Sequence, residues 1–427
     1  MHGTNSTLNT IALGLSVLLG GCSADTTPPS NLPAARADIP APEALPGWRT
    51  WAINRVLEGR VDWQGARSGF VVLVARNGHL IHSASVGHQD VEADLPMTME
   101  TRFQIASMTK PVIAVAAMIL VEEGILDLDD PITKYLPSFS SVEIAEFDAQ
   151  GNVSGTHPPE NPILLRHVLS FTSGIGPGMD KSSLAKRWQE EGIYHGEGSL
   201  TERIERLPAL PLFFEPGTEW RYGNSMDVAA RIVEIASGQP LERFLEVRIF
   251  KRLGMGATTY YKDLPENEPL AKMYALDDDG DLVPADQTHI PRDWTPGGSG
   301  LVSTAPDYMR FALMLWNDGV YDGIRILKKA SVERMQTFEI ESGVLANAGI
   351  EGLGFGLGVA VVADQEKTTR TTRTGDFSWS GAYGTHFWVS PSTGITLVVM
   401  QQQFMPPGSG ELPIVPALVQ ALALTDE

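Results

Sequence analysis

Apolar residues recur with a helical period between Glu43 and Gly59, at Leu45, Trp48, Trp51, Ala52, Val56 and Leu57, and predict an amphipathic opening helix. The pattern then becomes continuous. Gly69 to Arg76 reads as a buried strand, Asn77-Gly78 as a hairpin turn, and His79 to Gly87 as the partner strand. A nearly unbroken apolar run from Pro111 to Val121, closed by Glu122-Glu123-Gly124, predicts a buried helix stopped at glycine. Asp-rich turns follow Leu126, and Ile163 to Gly174 reads as a short helix ended by glycine. Residues 177–210 are polar and weakly periodic, and Phe214 to Thr218 is a turn. Met226 to Ala236, Leu241 to Leu253 and Ala305 to Trp316 have helical patterns, the first two closed by Gly238 and Gly254. In the last third Gly354 to Val362, Gly384 to Val389 and Ile395 to Met400 read as strands, with a final turn at Pro391 to Gly394 and a closing helix from Ile414 to Leu424. Strands near both ends with helices between predict an α/β (α+β) fold. One antiparallel sheet is assembled from the two termini and flanked by helices, with a helical lobe inserted. The sheet lobe takes about 47–130 and 290–427, and the helical lobe about 131–289.

Composition narrows the picture. The 427 residues exceed one ordinary domain and suit either one large two-lobed domain, taken here from residue 47 to 427, or two separate ones. A formal charge of −20 argues against nucleic acid, which needs basic surface to neutralise phosphates. The single cysteine, Cys22, excludes an intramolecular disulfide and a cysteine-based metal cluster, and no cofactor or metal is expected. Ile11 to Leu19 is too short an apolar run to span a bilayer and is similar to a signal-peptide core. Leu19-Gly20-Gly21-Cys22 resembles the bacterial lipobox, which implies a lipidated Cys22 as the mature N-terminus, although the first ten residues lack Lys and Arg. An ordinary secretory signal is the alternative. Residues 23–46, with six prolines, read as a flexible tether. The expectation is an exported, periplasmic protein, touching a membrane only through its N-terminal lipid. Serine at position 23 resembles the signal for onward sorting to an outer membrane.

Candidate chemistry centres on the start of the buried helix. Ser107 and Lys110 are three residues apart, so the lysine stands one turn above the serine and can reach its hydroxyl. Pro111 fits only a first helical turn, which puts Ser107 at the helix N-terminus beside free backbone N–H groups. A hydroxyl with an amine in reach and N–H donors beside it has the parts of an acyl-transfer nucleophile. The spacing alone is weak: Ser183 and Lys186 repeat it, without an apolar helix behind them, and a serine there can simply cap a helix. His167 reads as a packed helix-face histidine. Asp277 to Asp281 lacks the glutamate that completes a calcium loop and reads as a hairpin turn. Gly297-Gly298-Ser299-Gly300 has no following Lys-Ser/Thr and reads as close backbone packing.

Taken together, four segments resemble the penicillin-recognising serine hydrolases, closest to the branch of class C β-lactamases, D-aminopeptidases and β-lactamase-like carboxylesterases. They are Ser107-Met108-Thr109-Lys110, Leu165 to Gly174, Pro216-Gly217-Thr218 ahead of Tyr222-Gly223-Asn224, and Gly300 to Thr304. The resemblance covers roughly residues 47–425. It implies Ser107 as nucleophile and Lys110 and Tyr222 as the bases sharing its proton. Asn224 would orient Lys110 and the substrate carbonyl, or else cap the helix that follows. The family's third motif, Lys-Thr-Gly, has two stand-ins: Arg373-Thr374-Gly375, and Trp379-Ser380-Gly381-Ala382, which resembles the esterase form. With Trp379 in that place, the oxyanion would sit between the N–H groups of Ser107 and Ala382, beside Gly381. The implied activity is a carboxylesterase on small esters, with weak or no β-lactamase activity. A peptidase or amidase on linear or D-amino-acid peptides, a true β-lactamase, and a non-catalytic penicillin-binding sensor are the alternatives.

Overall fold

The computed structural model describes residues 45–63, 67–178, 181–193, 197–265, 268–286, 293–339, 351–368, 372–404 and 414–424. The signal-like segment, Cys22 and the tether up to Ala44 lie outside the described residues. Eight strands form the main sheet: β1 (Gly69–Arg76), β2 (His79–Asp90), β3 (Leu95–Pro96), β4 (Leu353–Phe355), β5 (Ala360–Val362), β6 (Phe377–Ser380), β7 (His386–Ser390) and β8 (Ile395–Met400). Their spatial order is β4-β5-β6-β7-β8-β1-β2-β3, with every neighbour antiparallel. The two ends of the chain meet where β1 pairs with β8, from Val71 opposite Met400 to Arg76 opposite Ile395. Asn77 and Gly78 both take positive φ, +50° and +80°, as a two-residue hairpin turn between right-twisted strands requires.

Because side chains alternate along a strand, the sheet has two different faces. Phe70, Val72, Val74, Leu397 and Val399 form an outer core under helices α1 (Gly47–Glu58) and α5 (Ile414–Leu424). Val71, Leu73, Ala75, Val398 and Met400 belong to the larger inner core. That core also holds α2 (Thr109–Glu122), α3 (Ser225–Ser237) and α4 (Ala305–Trp316). Helix α2 is the axis of the molecule: every residue from Thr109 to Leu120 is buried, and α3 packs along it.

Three expectations from the hydrophobic pattern need correction. The opening helix begins at Gly47, after Pro46, and buries Arg49, Ile53 and Leu57 at a spacing of four. Trp48 and Trp51, expected on the inner face, are 59% and 61% exposed. Arg49 takes the inner position instead, its aliphatic stem lining the interior and its guanidinium carbon 5.1 Å from the centre of the Trp48 ring. The run from Gly354 to Val362 is two strands, not one. Gly358, at φ +78°, turns the chain where a Cβ would come within 2.6 Å of Ala114 Cβ. Residues 177–210 contain helices Ser183–Glu191 and Leu200–Arg206. Ser199 and Glu202 form a reciprocal capping box at the start of the second, a signal the sequence did carry.

Candidate active site

The nucleophile candidate sits on a kink. Ala106 has φ +46°, a left-handed conformation that costs a residue with a Cβ about 1–2 kcal/mol. The surroundings hold it there. Ile105 N–H donates to the Leu301 carbonyl at 3.0 Å, Thr385 Oγ1 donates to the Ile105 carbonyl at 3.1 Å, and Tyr308 OH donates to the Met108 carbonyl at 2.8 Å. A short 3₁₀ turn, Ala106–Met108, then leads into α2. Its second residue is Ser107, whose N–H has no partner within the turn by geometry. Pro111 occupies the third position of α2, where no N–H is needed.

Ser107 Oγ meets two groups. Lys110 Nζ donates to it at 3.0 Å and Tyr222 OH at 2.7 Å. When the amine or the phenol is deprotonated, the same contact runs the other way and the serine hydroxyl donates. Lys110 is only 4% exposed; its Nζ also donates to the Gly298 carbonyl at 2.5 Å and lies 4.8 Å from the centre of the Tyr222 ring. Tyr222 is fixed by its backbone. Gly178 N–H donates to its carbonyl at 3.0 Å, and Arg221 N–H donates to the Phe171 carbonyl at 2.8 Å. Gly223 lets the chain pass against Gly176, where a Cβ would stand 2.7 Å from the Gly176 Cα. Asn224 occupies the N-cap position of α3 and is 5% exposed. Its side chain makes no capping hydrogen bond and turns instead toward Asp227.

The third-motif candidates separate in space. Trp379 lies on β6 with its ring centroid 5.7 Å from that of Tyr222 and 5.1 Å from that of Phe355. With Phe171 and Trp220 these rings form one aromatic wall beside Ser107. Arg373-Thr374-Gly375 forms the turn that enters β6 from the other end; Gly375 N–H donates to the Val362 carbonyl and Arg373 N–H to Asp376. At the near end, Gly381 N–H donates to the Thr385 carbonyl at 2.8 Å, which closes the β6–β7 hairpin. A Cβ on Gly381 would overlap Thr385 Oγ1 and the Ile105 carbonyl, so only glycine lets this hairpin lie on the nucleophile turn. Ala382 is exposed at the hairpin tip, and its N–H has no partner among the described residues.

Other candidates fall outside this constellation. Ser183 opens a surface helix capped by Ser182, and Lys186 pairs with Glu190 at 3.7 Å. His167 is a packed histidine: its Nδ1 accepts from Leu164 N–H at 3.3 Å, and burial pushes the imidazole down to about 4. Asp277 Oδ1 accepts from the N–H groups of Asp279 and Asp281 in a hairpin turn. Gly297 does pack closely, against Met226 and Ala230. Sequence reasoning missed that the next residue, Gly298, presents its carbonyl to Lys110 and its N–H to Asp227. Asp227 itself was also missed. It is fully buried, and desolvation pushes its carboxyl up to about 6 against the pull of the Gly298 N–H and the Lys110 charge.

The model of the family described as Beta-lactamase matches residues 53–420. The Mycobacterium tuberculosis protein Rv1367c is 35% identical over 79% of this chain and 86% of its own length. Esterase EstB of Burkholderia gladioli is 29% identical over 81% of this chain and 88% of its own. Among solved structures, EstCE1, described as a hydrolase with promiscuous acyltransferase activity, superposes with a TM-score of 0.73 at 26% identity. That superposition covers 88% of this chain and 98% of EstCE1. With the family model spanning most of its length, this chain belongs to the Beta-lactamase family of serine hydrolases.

Proposed function

We propose that this protein is a carboxylesterase of small esters that works through an acyl-enzyme on Ser107. The observation that carries the reading is the double contact on Ser107 Oγ, from Lys110 at 3.0 Å and Tyr222 at 2.7 Å. Ser107 Oγ attacks the ester carbonyl carbon while its proton passes to the Lys110–Tyr222 pair. The oxygen that becomes negative sits between the N–H groups of Ser107 and Ala382. As the carbon–oxygen bond to the alcohol breaks, Tyr222 returns the proton to the departing oxygen. A water then enters, gives its proton to the same pair and releases the acid, which restores Ser107. An alcohol entering in place of water would accept the acyl group, and the similarity to EstCE1 favours testing that transfer alongside hydrolysis.

Substrate class rests on Trp379. β-Lactams carry a carboxylate, which a lysine on this strand would meet. An indole offers an apolar wall with one N–H donor, suited to the neutral parts of an ester. The expected result is hydrolysis of p-nitrophenyl acetate to butyrate, with nitrocefin turned over weakly or not at all. Ser107→Ala should abolish turnover and labelling by a fluorophosphonate probe, while Ser183→Ala should change neither. Labelling that survives Ser107→Ala ends the acyl-enzyme reading. Higher kcat/KM on nitrocefin or a peptide amide than on any simple ester ends the esterase assignment alone. For location, the proposal is a lipid-modified Cys22 as the mature N-terminus, tested by mass spectrometry of the intact mature protein. An unmodified Cys22 would overturn it.

A further inference from the structure

Asp227 lies in the first turn of α3 and is fully buried, and no step proposed above uses it. Its Oδ1 accepts from Gly298 N–H at 2.9 Å, and the Gly297 N–H and the Asn224 side chain also favour its charged form. Its second oxygen completes no close hydrogen bond among the described residues. Gly298 then offers its own carbonyl to Lys110 Nζ at 2.5 Å. One carboxylate therefore anchors the backbone that receives the amine, and it faces the amide of Asn224. Glycine makes the anchoring possible. A Cβ on Gly297 would overlap the Met226 carbonyl and Ala230 Cβ, so any side chain would lift this segment off α3.

A buried carboxylate with one firm hydrogen bond is costly unless a positive charge stands near it. Among the described residues, Lys110, from α2, is the charged group that acts on it. Its own helix contributes the neutral Asn224, and the Gly297-Gly298 segment contributes backbone N–H groups only. Lys110 in turn needs a counter-charge, because it is 4% exposed and among the described residues otherwise touches a hydroxyl, a carbonyl and a ring.

We propose that Asp227 is the positioning residue for Lys110: its ionised carboxylate fixes the Gly298 segment against the amine and supplies the counter-charge that keeps Nζ aligned on Ser107 Oγ. This rests on the acyl-enzyme reading of Ser107. It adds that protonating one buried acid, which touches no substrate, switches the site off. Burial holds that carboxyl up at about 6, so the loss falls within the range where the enzyme can be assayed.

The test is the pH profile of kcat/KM for p-nitrophenyl acetate between pH 5.0 and 8.0, read at the isosbestic wavelength of the product. For a required carboxylate titrating near 6, wild-type kcat/KM should fall about tenfold from pH 7.5 to 5.0. Asp227→Asn keeps an oxygen for Gly298 N–H but cannot ionise. Its profile should lie lower and vary by less than about twofold over that range. A purely structural role would lower the plateau and leave the acid limb in place. A flat wild-type profile, or an unchanged limb in Asp227→Asn, overturns the proposal. Should Asp227→Asn not fold, Asp227→Glu, which keeps the charge and moves it, should retain a limb with a shifted midpoint; an unshifted midpoint also overturns it. Fluorophosphonate labelling of Ser107→Ala in parallel separates the two failures. Labelling there sinks the acyl-enzyme reading, whereas Ser107-dependent labelling with a flat profile sinks only the role of Asp227.

Discussion

Removing one oxygen atom at Tyr222 separates its catalytic from its structural role. In Tyr222→Phe the ring keeps its neighbours: Phe171 at 5.1 Å, Trp379 at 5.7 Å and the Lys110 ammonium at 4.8 Å from its centre. What disappears is the 2.7 Å contact with Ser107 Oγ. As a structural hydrogen bond that contact contributes about 1 kcal/mol, a shift of a few degrees at most in the Tm of a chain this large. As the group that returns the proton to the leaving alcohol, it supplies roughly a hundred- to ten-thousandfold in rate, or about 2.7–5.4 kcal/mol of barrier. The two readings therefore differ by at least a factor of ten in kcat/KM. The assay is kcat and KM on p-nitrophenyl butyrate, with thermal unfolding of the same samples. The expected outcome is a large fall in kcat, little change in KM and a nearly unchanged Tm. Turnover within threefold of wild type would refute the role given to Tyr222 and leave Lys110 as the base alone.

Three more outcomes rest on other contacts of the same site and core. Trp379→Lys should raise the nitrocefin-to-ester ratio of kcat/KM by roughly ten- to a hundredfold, the worth of a charge-assisted contact, and an unmoved ratio would mean that Trp379 does not face the substrate. Gly381→Ala should push the β6–β7 hairpin off the Ile105 carbonyl, withdraw the Ala382 N–H and cut kcat roughly a hundredfold or more with KM less affected; full activity would exclude Ala382 as an oxyanion donor. His82 is buried and burial holds its imidazole down at about 4, so the unfolded chain takes up its proton first and stability is lost as pH falls from about 6.5 toward 4. By pH 4.5 that loss is on the order of 2–3 kcal/mol, and His82→Leu should narrow the urea-stability gap between pH 7.5 and 4.5 by about this much; an unchanged gap would refute it.

What the sequence disclosed and what it withheld divide along physical lines. Periodicity and turn chemistry disclosed the sheet from both termini, because β1 and β8 are continuous apolar runs and Asn77-Gly78 has one favoured geometry. The α1 face was misread because hydropathy scores arginine as exposed, whereas Arg49 is 6% exposed and two tryptophans point outward. Within the site, side-chain chemistry was legible at Ser107, Lys110 and Tyr222, whose hydroxyls and amine meet within 3.0 Å. The choice between Trp379 and Arg373 needed to know which end of β6 reaches Tyr222, and that is a fact of strand pairing, not of composition.

Gly298 and Asp227 were illegible for a different reason. Gly298 contributes a carbonyl and an N–H that every residue but proline possesses, so its identity reports only that the backbone comes close. Asp227 sits one turn beyond Asn224 on a helix whose apolar stripe runs through Val228, Ala229 and Ile232, and by hydropathy an acid there belongs on the exposed face. Its 0% exposure is intelligible only once the Gly297-Gly298 segment is seen lying against α3, with Lys110 on its other side. A buried acid in a first helical turn, three residues after a Tyr-x-Asn, is a pattern that sequence reading can weigh, but only where a paired cation is known to stand nearby. Groups that touch substrate announce themselves by residue type. Those that hold them are recognisable by burial and contact, which is why the test of Asp227 turns on a pH profile and not on a loss of activity.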